Sequence, residues 1–560
     1  MCSARGWCWQ HPLPQGNRLN AVWGDALGHA YAVGTRGMVL RRAEGRAKWV
    51  GERVPTSANL RGVWGFGKEA AFMVGDGVAL RNTGHNGDGW SAIAVDEKVR
   101  LNDVWGAVHN DVHMVGDGGA IWHWDGSVAK PVNVAGVDAN LNGLWGSSRD
   151  NVYAVGKRTV LRFDGSGWSR RGGPRSTDLL GATLYSVWGS GPDDVYVVGW
   201  DRMKHGRVIW HFDGKKWAEH DTGKRRMRAF YGVWGRSRGD VVVGGVGLAF
   251  RFDGSAWLPT EIGRRTDLFG VSGIGDEAWA VGARGVMGTL GERFERRGSG
   301  SLDPINGVWS SGKGSFAVDR GGRVLRFDGK QWRQAVQFPV QLNALWGSDE
   351  FAVAVGNDGN VVMYDGEEWS TLSGGVKHDL LSVWGNEREV YAVGRAGAIA
   401  HWNGSAWSSR ASGTSEDLHG VWFDGNVGFA VGRKGTVVRY ENGAWRALNS
   451  GTTSWLRGVW GRRADDVYAV GRSGTVIHWD GKSWSHVDVN VRGADWLMGV
   501  HGDDDDVVIV GGSGAVLRFD GKQWSAEDSG VAATLRSVWV DDNGLLICGD
   551  DGAILYRSRR

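Results

Sequence analysis

The chain has 560 residues, with 93 glycines, 34 tryptophans and 9 prolines, and 65 basic side chains stand against 62 acidic ones. The glycine content is far below one residue in three, which excludes a collagen-like protein, and the aromatic content of 11% excludes a disordered one. The net charge of +3 is too small to imply nucleic acid binding by bulk attraction, and no apolar stretch reaches the roughly 18 residues that span a bilayer.

The first predicted element is a strand near the N-terminus, in the segment Gly-Trp-Cys-Trp-Gln-His-Pro-Leu-Pro-Gln of residues 6–15. Its tryptophans, Trp7 and Trp9, precede Trp23 by 16 and 14 residues, which brackets the 15-residue step from Trp407 to Trp422. This spacing predicts that the chain begins with the outer strand of a repeat that is completed elsewhere.

A Val-Trp-Gly triplet then recurs fourteen times, at steps of 37 to 46 residues, and a period of this length is typical of β-propeller blades. Each repeat reads approximately L-x-x-V-W-G, V-Y-A-V-G-x-x-G-x-V-L-R-F-D-G-x-x-W. The central positions of the triplet are Trp23, Trp64, Trp105, Trp145, Trp188, Trp234, Ser272, Trp309, Trp346, Trp384, Trp422, Trp460, His501 and Trp539.

Each repeat contains short runs of β-branched and aromatic residues that alternate in polarity, and glycine falls between them. Asp480-Gly481 and its equivalents predict a tight hairpin, because glycine accepts positive φ. We therefore predict an all-β protein of fourteen four-stranded blades, with strands a to d running from the inside of each blade to the outside. Recurrence also predicts that most tryptophans are packing residues between blades, with Trp200 and Trp496 outside the pattern.

The seventh repeat marks a seam, because it carries Ser272 in place of tryptophan and an altered hairpin at residues 290–294. We predict two seven-bladed propellers, residues 1–290 and 291–560, with the N-terminal outer strand closing the first and the strand from Glu292 closing the second. One large closed ring and a six-plus-eight division remain open alternatives.

The hairpin Phe519-Asp520-Gly521-Lys522-Gln523-Trp524 resembles the Asp-box (BNR) hairpin of sialidase-type and photosystem-assembly-factor propellers. The fuller pattern from Gly458 to Trp484 is more similar to the Trp-rich Val-Trp-Gly repeats of exported bacterial, myxobacterial-type lipoproteins. That resemblance implies an extracytoplasmic protein, secreted or at the surface, with Cys2 as a lipidation position and lipid anchor; without it, a cytoplasmic location is expected.

No motif for catalysis, phosphate binding or metal binding stands out, so we predict no cofactor and no metal site. The histidines His123, His211, His401 and His478 share a strand position with arginines of other repeats, which favours a structural role. In a single closed ring, Cys8 and Cys548 would lie two strand spacings apart, too far for a disulfide, and in the two-propeller arrangement they would lie in different domains.

The strongest local signal is a set of basic residues in the b-to-c turns, which share one face with the d-to-a loops. Arginine there suits carboxylate, phosphate or sulfate groups. These candidate ligand-binding residues are Arg320, Arg395, Arg433, Lys434 and Arg472. A second candidate is the enlarged turn of residues 200–206, which contains Trp200, Arg202, Lys204 and His205.

The sequence therefore predicts a non-enzymatic binding or scaffolding propeller that recognises a protein or glycan partner, with an anionic group favoured, through its loop faces. The alternative is a propeller glycoside hydrolase, sialidase-like, or a lyase that uses acids in the d-to-a loops. No nucleic acid partner and no transmembrane segment are predicted, and no oligomeric state is defined.

Overall fold

The computed structural model describes residues 7–11, 16–42, 49–67, 70–82, 89–172, 178–222, 228–263, 266–297, 303–311, 314–348, 351–386, 388–489, 495–542 and 544–558. In these ranges the regular elements are 56 strands and nine three-residue 3₁₀ turns. The strands form fourteen four-stranded antiparallel sheets, which confirms the predicted all-β fold. The chain divides into two compact units, an N-terminal unit, Asn17–Gly298, and a C-terminal unit, Met1–Gly16 with Ser299–Arg560.

The N-terminal unit holds seven sheets, and each follows the chain from its inner strand to its outer strand. The strands are, for sheet 1, β2 to β5, Leu19–Gly24, Ala30–Gly34, Val39–Arg42 and Val50–Gly51; for sheet 2, β6 to β9, Leu60–Phe66, Ala70–Gly75, Val78–Asn82 and Trp90–Ile93; for sheet 3, β10 to β13, Leu101–Val108, Asp111–Gly116, Ile121–Trp124 and Ala129–Pro131; for sheet 4, β14 to β17, Leu141–Ser148, Asn151–Gly156, Thr159–Phe163 and Trp168–Arg171; for sheet 5, β18 to β21, Ala182–Gly191, Asp194–Asp201, Gly206–Phe212 and Trp217–Glu219; for sheet 6, β22 to β25, Phe230–Ser237, Asp240–Gly245, Leu248–Phe252 and Trp257–Thr260; and for sheet 7, β26 to β29, Leu268–Ile274, Glu277–Gly282, Met287–Leu290 and Phe294–Arg296.

The C-terminal unit also holds seven sheets. The strands are, for sheet 8, β30 to β33, Ile305–Ser311, Gly314–Asp319, Arg323–Phe327 and Trp332–Gln337; for sheet 9, β34 to β37, Leu342–Gly347, Ala352–Gly356, Asn360–Tyr364 and Trp369–Ser373; for sheet 10, β38 to β41, Leu380–Gly385, Val390–Gly394, Ile399–Trp402 and Trp407–Arg410; for sheet 11, β42 to β45, Leu418–Asp424, Val427–Gly432, Val437–Glu441 and Ala444–Leu448; for sheet 12, β46 to β49, Leu456–Arg463, Asp466–Gly471, Val476–Trp479 and Trp484–His486; for sheet 13, β50 to β53, Leu497–Gly502, Val507–Gly511, Ala515–Phe519 and Trp524–Asp528; and for sheet 14, β54 to β56 with β1, Leu535–Val540, Gly544–Gly549, Ile554–Ser558 and Cys8–His11.

The 3₁₀ turns lie mostly between strands b and c. They are Thr35–Gly37, Asp117–Gly119, Asp178–Leu180, Ala283–Gly285, Asn357–Gly359, Arg395–Gly397, Arg433–Gly435, Gly512–Gly514 and Asp550–Gly552.

The N-terminal strand completes the last sheet rather than the first set of sheets. β1 pairs with β56, with Cys8 opposite Tyr556, and it belongs to the C-terminal unit. β29 pairs with β28 through a local hairpin, so a boundary at residue 290 would cut sheet 7. The predicted closure of the first propeller by the N-terminal strand, and of the second by the strand from Glu292, is therefore wrong.

Inner-strand contacts connect the first and last sheets of each unit. β2 packs against both β6 and β26, and β30 packs against both β34 and β54. Each unit thus has a closed succession of seven sheets.

The Val-Trp-Gly triplet packs neighbouring sheets together, since the tryptophan of one sheet lies on the glycine of the next. A Cβ atom added at Gly146 would lie 2.6 Å from the ring of Trp105, and one at Gly461 would lie 2.8 Å from the ring of Trp422. Only glycine leaves room for the ring at these positions. This contact explains the recurrence of the triplet and supports the interpretation of its tryptophans as packing residues between sheets.

The two cysteines of sheet 14 are not bonded to each other. Cys548 is a buried free thiol whose Sγ donates to the carbonyl oxygen of Ile305 at 3.3 Å, and burial raises its pKa. Cys8 lies on β1 of the same sheet. The two therefore share a sheet, although the predicted two-domain division placed them apart. The proposed lipidation residue, Cys2, lies outside the described residues.

Every inner strand carries a β-bulge directly after its first core residue. In β46, for example, Leu456 pairs with Gly471 and Gly458 pairs with Val470, so Arg457 is the extra residue without a cross-strand partner. The same irregularity occurs in all fourteen inner strands. Bulges redirect side chains, and we call these positions the bulge residues.

Asparagine at a bulge position ties one sheet to the next. The Nδ2 of Asn306 donates to the carbonyl oxygen of Leu342 at 2.8 Å. The equivalent bonds of the other asparagines are Asn20 to Leu60, Asn102 to Leu141, Asn142 to Leu184 and Asn343 to Leu380. Where another residue replaces asparagine, this bond is absent and the position is available for other chemistry.

We expect Asn306→Ala to lower the free energy of unfolding of the C-terminal unit by about 1 kcal/mol, because one partly buried hydrogen bond is lost. Leu381→Asn, at the equivalent position of sheet 10, should raise it by offering the bond to the carbonyl of Leu418. Chemical denaturation of both variants measures the difference, and equal effects of the same sign would contradict the role given to the asparagine bond.

Candidate functional site

Bulge residues of the C-terminal unit line a central cup with a volume of about 520 Å³. The bulge side chains follow the first core residue of each inner strand, and the triplet tryptophans stand three residues further along, roughly 10 Å deeper. The bulge residues in the lining are Asn306, Asn343, Leu381, His419, Arg457, Met498 and Arg536. Because these residues come from all seven sheets, the cup lies where the inner strands converge.

Aromatic rings form the floor of the cup. The rings of Trp384 and Trp539 lie 6.3 Å apart, and the ring of His501 lies 4.5 Å from Trp539 and 5.8 Å from Trp384. Sheets 10 and 13 are not sequence neighbours, so contact between Trp384 and His501 places both rings across the centre of the unit. The floor is therefore apolar, whereas the opposite end of the cup is polar.

Arginines dominate that polar end, the mouth of the cup. Arg320, Arg395, Arg457 and Arg536 line it, against a single aspartate in the lining, Asp379. Two of the arginines are neutralised, because Arg395 pairs with Asp379 at 3.0 Å and Arg536 pairs with Asp550 at 2.6 Å. Among the described residues, Arg320 and Arg457 have no carboxylate within 4.0 Å, so the mouth has an excess of positive charge.

The basic residues predicted from the b-to-c turns are only partly brought together. Arg320 and Arg395 line the cup. Arg433 pairs with Asp417 at 3.5 Å. Lys434 is 73% exposed and pairs with Glu416 at 2.7 Å, outside the lining.

Two tryptophans and three arginines alternate beside the mouth, in an arrangement that we call the Arg–Trp ladder. The guanidinium of Arg433 lies 4.3 Å from the ring of Trp455. That of Arg457 lies 5.9 Å from Trp455 and 5.4 Å from Trp496. Arg472 follows at 5.2 Å from Trp496. Stacking on the ring faces orients the guanidinium planes while their N–H edges remain available for an anion.

The elements that position the ladder are short and local. Trp455 and Trp496 each directly precede an inner strand, β46 and β50, and Arg433 and Arg472 stand in b-to-c turns. Arg457 is the bulge residue of β46 and is half-buried. Its Nε is buried without a hydrogen-bond partner, and its Nη1 lies 3.5 Å from the Nδ1 of His419. Arg457 therefore has hydrogen-bonding capacity at its Nε that the described residues do not use, and the Nε of Arg433 is in the same situation.

The pKa of His419 reports the electrostatic character of this region. Burial lowers it, and the charges of Arg457, Arg433 and Arg395 lower it further, to about 4, although Asp417 acts in the opposite direction. Burial and the charges of Arg536 and Arg433 also lower the pKa of Arg457. Both shifts show that the mouth disfavours an additional positive charge.

The enlarged turn of sheet 5 is satisfied by its own residues. The Oδ1 of buried Asp201 accepts hydrogen bonds from the backbone N–H groups of Met203 and Lys204, at 2.7 and 3.1 Å. The Nζ of Lys204 pairs with Glu219 at 2.6 Å.

The other predicted residues of this turn lie apart from any cluster. Trp200 is half-buried in β19, and Arg202 and His205 are exposed. Among the residues that the structure describes, Lys204 alone of this predicted set makes an ion pair, so these residues do not assemble a charged site.

The N-terminal unit has a different set of bulge residues. Tyr185, Tyr231 and Phe269 occupy three consecutive sheets, with ring centroids 4.6 Å and 5.5 Å apart. The guanidinium of Arg18 lies 3.8 Å from the Phe269 ring. Three bulge residues of the N-terminal unit are therefore aromatic, whereas His419, Arg457 and Arg536 occupy the same position in three sheets of the C-terminal unit.

Comparison with known proteins supports the fold. No family model and no curated protein sequence matches this chain. Among solved structures, PorZ of Porphyromonas gingivalis, a bacterial surface component of the type-IX secretion system, matches with a TM-score of 0.62 at 10% identity, covering 98% of this chain and 87% of PorZ. The GH74 xyloglucanase of Xanthomonas campestris matches with a TM-score of 0.60 at 14% identity, covering 99% of this chain and 100% of the xyloglucanase. The chain has the β-propeller fold.

The Niastella koreensis GH74 enzyme gives a similar match, with a TM-score of 0.61 at 11% identity and coverage of 98% of this propeller chain and 99% of the enzyme. At identities this low, the structural matches support the fold but do not show a shared activity. In the described ranges of the propeller, no helix is long and apolar enough to cross a membrane.

Sequence reasoning missed Arg457, Arg536, His419 and Trp455, and it mentioned Trp496 only as irregular. A signal for the bulge residues was present, because the core residues of L-x-x-V stand three apart. Residues on one face of a regular strand are an even number apart, so this odd spacing indicates a bulge.

Proposed function

We propose that this β-propeller protein is a non-enzymatic binding module whose cup mouth and Arg–Trp ladder recognise an anionic group of a protein or glycan partner. The observation that carries the proposal is Arg457, a half-buried guanidinium oriented by two tryptophan rings and, among the described residues, without a carboxylate within 4.0 Å. A buried cation without a counter-ion is costly, and a bound carboxylate, sulfate or phosphate would offset that cost.

The arrangement suits recognition better than catalysis. A guanidinium presents a rigid fork of donors to a planar or tetrahedral anion but remains protonated, so it does not exchange protons with a substrate. Arg320 in the cup lining and Arg472 in the Arg–Trp ladder add positive charge, whereas the enlarged turn at residues 200–206 is a weaker candidate because Lys204 is already paired.

We expect Arg457→Gln to weaken the binding of inorganic sulfate or phosphate, or of an acidic peptide or sulfated oligosaccharide found by array, by about tenfold or more. Isothermal titration calorimetry measures the change. Arg457 is a cleaner target than Arg395 or Arg433, because its removal leaves no paired carboxylate behind.

Lys434→Gln is the matched control, since it removes one exposed positive charge outside the cup. The affinity of this variant for the same anions should remain within about twofold of that of the original protein. The proposal also predicts that bound anion raises the pKa of His419, because a nearby negative charge favours the imidazolium. Equal affinities for the two variants, or no binding of any of these anions by the original protein, would overturn the proposal.

The propeller glycoside hydrolase remains the alternative, and Asp103 is the carboxyl group that favours it. Burial raises the pKa of Asp103 to about 7, the range of a general acid. However, its two oxygens accept the backbone N–H groups of Val104 and Leu144, at 2.9 and 2.8 Å, which indicates a structural role. Turnover in a hydrolase screen that Asp103→Asn abolished would favour the enzyme over the binding module.

Extracytoplasmic localisation, with a lipid anchor at Cys2, belongs to the same proposal. It is supported by the Val-Trp-Gly repeat pattern and by the likeness to PorZ, a bacterial surface component. Membrane fractionation of the original protein and of Cys2→Ser tests the anchor.

A further inference from the structure

Three side chains of sheet 3 converge on one face of the N-terminal unit. Asp111 and His113 stand two residues apart on β11, so they share a face, and His123 on β12 is the cross-strand partner of His113. Donor atoms of the three side chains all lie within 4.8 Å of one another. Across the described ranges of the chain, no other His, Cys, Asp and Glu side chains form such a group of three.

The repeats themselves show which residue makes this group unusual. In sheet 5, His211 bonds to Asp194 at 2.7 Å and stacks on Tyr196 at 4.2 Å. In sheet 12, His478 bonds to Asp466 at 2.7 Å, and its ring lies 4.5 Å from that of Tyr468. The histidine–carboxylate pair is therefore a recurrent structural element whose third position is tyrosine.

Sheet 3 keeps that pair, with the Nε2 of His123 at 2.7 Å from the Oδ1 of Asp111, but its third position is His113. The two imidazole rings lie 4.7 Å apart. His113 is only 4% exposed. The position that tyrosine occupies in sheets 5 and 12 is therefore filled in sheet 3 by a third side chain of a metal-binding type. The Nδ1 of this side chain is buried and has no hydrogen-bond partner among the described residues.

We propose that Asp111, His113 and His123 bind a divalent transition-metal ion of the zinc class. Two imidazoles and one carboxylate form a ligand set that such ions prefer, and tetrahedral coordination requires donor atoms roughly 3.4 Å apart, within reach of small side-chain rotations from the present arrangement. The side chain of His123 is 36% exposed, so water can occupy the remaining coordination position. The ion would replace the hydrogen bond between His123 and Asp111.

The groups around the three side chains include aromatic rings that enclose His113 and an arginine that competes with an ion for Asp111. His113 is only 4% exposed, and its ring lies 4.7 Å from that of His123. Phe163 and Trp168 cover it from the next sheet, at ring distances of 5.2 and 5.6 Å. Arg149 competes for the carboxylate, since its Nε lies 3.2 Å from the other oxygen of Asp111.

The test uses the full chain without a histidine tag and compares it with His113→Tyr. This variant restores the residue found in sheets 5 and 12, so it should fold normally. We expect Zn²⁺ to bind the original protein with one strong site and to raise the melting temperature of the N-terminal unit, and His113→Tyr to bind at least about tenfold more weakly. Co²⁺ should give visible d–d absorption with the original protein alone.

His211→Ala is the matched control, because it removes the half-buried histidine of the equivalent pair in sheet 5, which lacks the third ligand. Its Zn²⁺ affinity should equal that of the original protein. Equal Zn²⁺ binding by the original protein and His113→Tyr, or loss of binding in His211→Ala alone, would overturn the proposal, as would the absence of a Zn²⁺ site in the original protein.

Discussion

Trp7→Ala should lower the free energy of unfolding of the C-terminal unit by about 3 to 5 kcal/mol and leave the N-terminal unit unchanged. Trp7 is completely buried and shares a core cluster with Val510 and Leu535 of sheets 13 and 14. Its Nε1 donates to Glu527 at 3.2 Å, and the guanidinium of Arg557 lies 4.7 Å from its ring. Removing the side chain leaves a cavity where β1 completes its sheet.

Differential scanning calorimetry of the full chain checks this expectation, because the two units can unfold in separate transitions. A loss of that size should lower one melting transition by roughly 10 °C. Trp49→Ala is the matched control. Trp49 is also a buried tryptophan beside an outer strand, but it lies in the N-terminal unit, 5.8 Å from Trp279. If Trp7→Ala shifted the transition that Trp49→Ala shifts, the assignment of β1 to sheet 14 would be wrong.

The C-terminal unit should also lose stability in acid because of His501. This histidine replaces the triplet tryptophan of sheet 13 and is buried among Trp384, Trp460 and Trp539. Burial lowers its pKa from 6.5 to about 3. Between these values the unfolded chain binds a proton that the folded chain does not, so stability is fully present above pH 6.5 and falls as the pH decreases toward 3.

We expect this group alone to cost about 2 kcal/mol at pH 5 relative to neutral pH, since each unit of pKa difference corresponds to about 1.4 kcal/mol. His501→Trp, which restores the triplet, should flatten the dependence. It also removes the acceptor of the Val540 N–H, at 3.3 Å, so the comparison rests on the slope with pH and not on absolute stability. Parallel stability curves of the two proteins between pH 7.5 and 4.5 would exclude His501 as the cause.

The repeated features of the fold could be predicted from the sequence, because each has a local cause. The Asp-Gly hairpins form as expected, with the Oδ1 of Asp480 accepting the N–H groups of Lys482 and Ser483 and with Gly481 at φ +87°. The packing of tryptophan against the glycine of the next sheet could be predicted because both residues recur in every triplet that keeps its tryptophan. Fourteen sheets follow from fourteen such patterns.

The closure of the units could not be predicted in the same way. The altered hairpin after Leu290 still brings Phe294 opposite Leu290, so sheet 7 completes itself through a short local connection. Sheet 14 then lacks an outer strand, and β1 supplies it. Composition and spacing identify an outer strand at the N-terminus, but the sheet that receives it depends on which other sheets are already complete.

The candidate site was predicted only in part for a related reason. Turn residues such as Arg395 and Arg320 are visible because they share one turn position of the repeat, whereas Arg457 lies inside a strand at a variable position. Its direction toward the cup depends on the bulge, and its importance depends on Trp455 and Trp496, which approach from two loops. Such a combination arises from three separate segments of the chain.

The bulge has an evolutionary consequence. A residue without a cross-strand partner can change while the backbone pairing and the Trp–Gly contact of its repeat are preserved. Duplication of a repeat therefore copies the architecture together with an asparagine that ties the new copy to its neighbour, and a later point mutation at that one position gives the copy a new chemical character. Ligand preference in a protein of this kind can diverge one residue at a time, on a scaffold that is inherited without change.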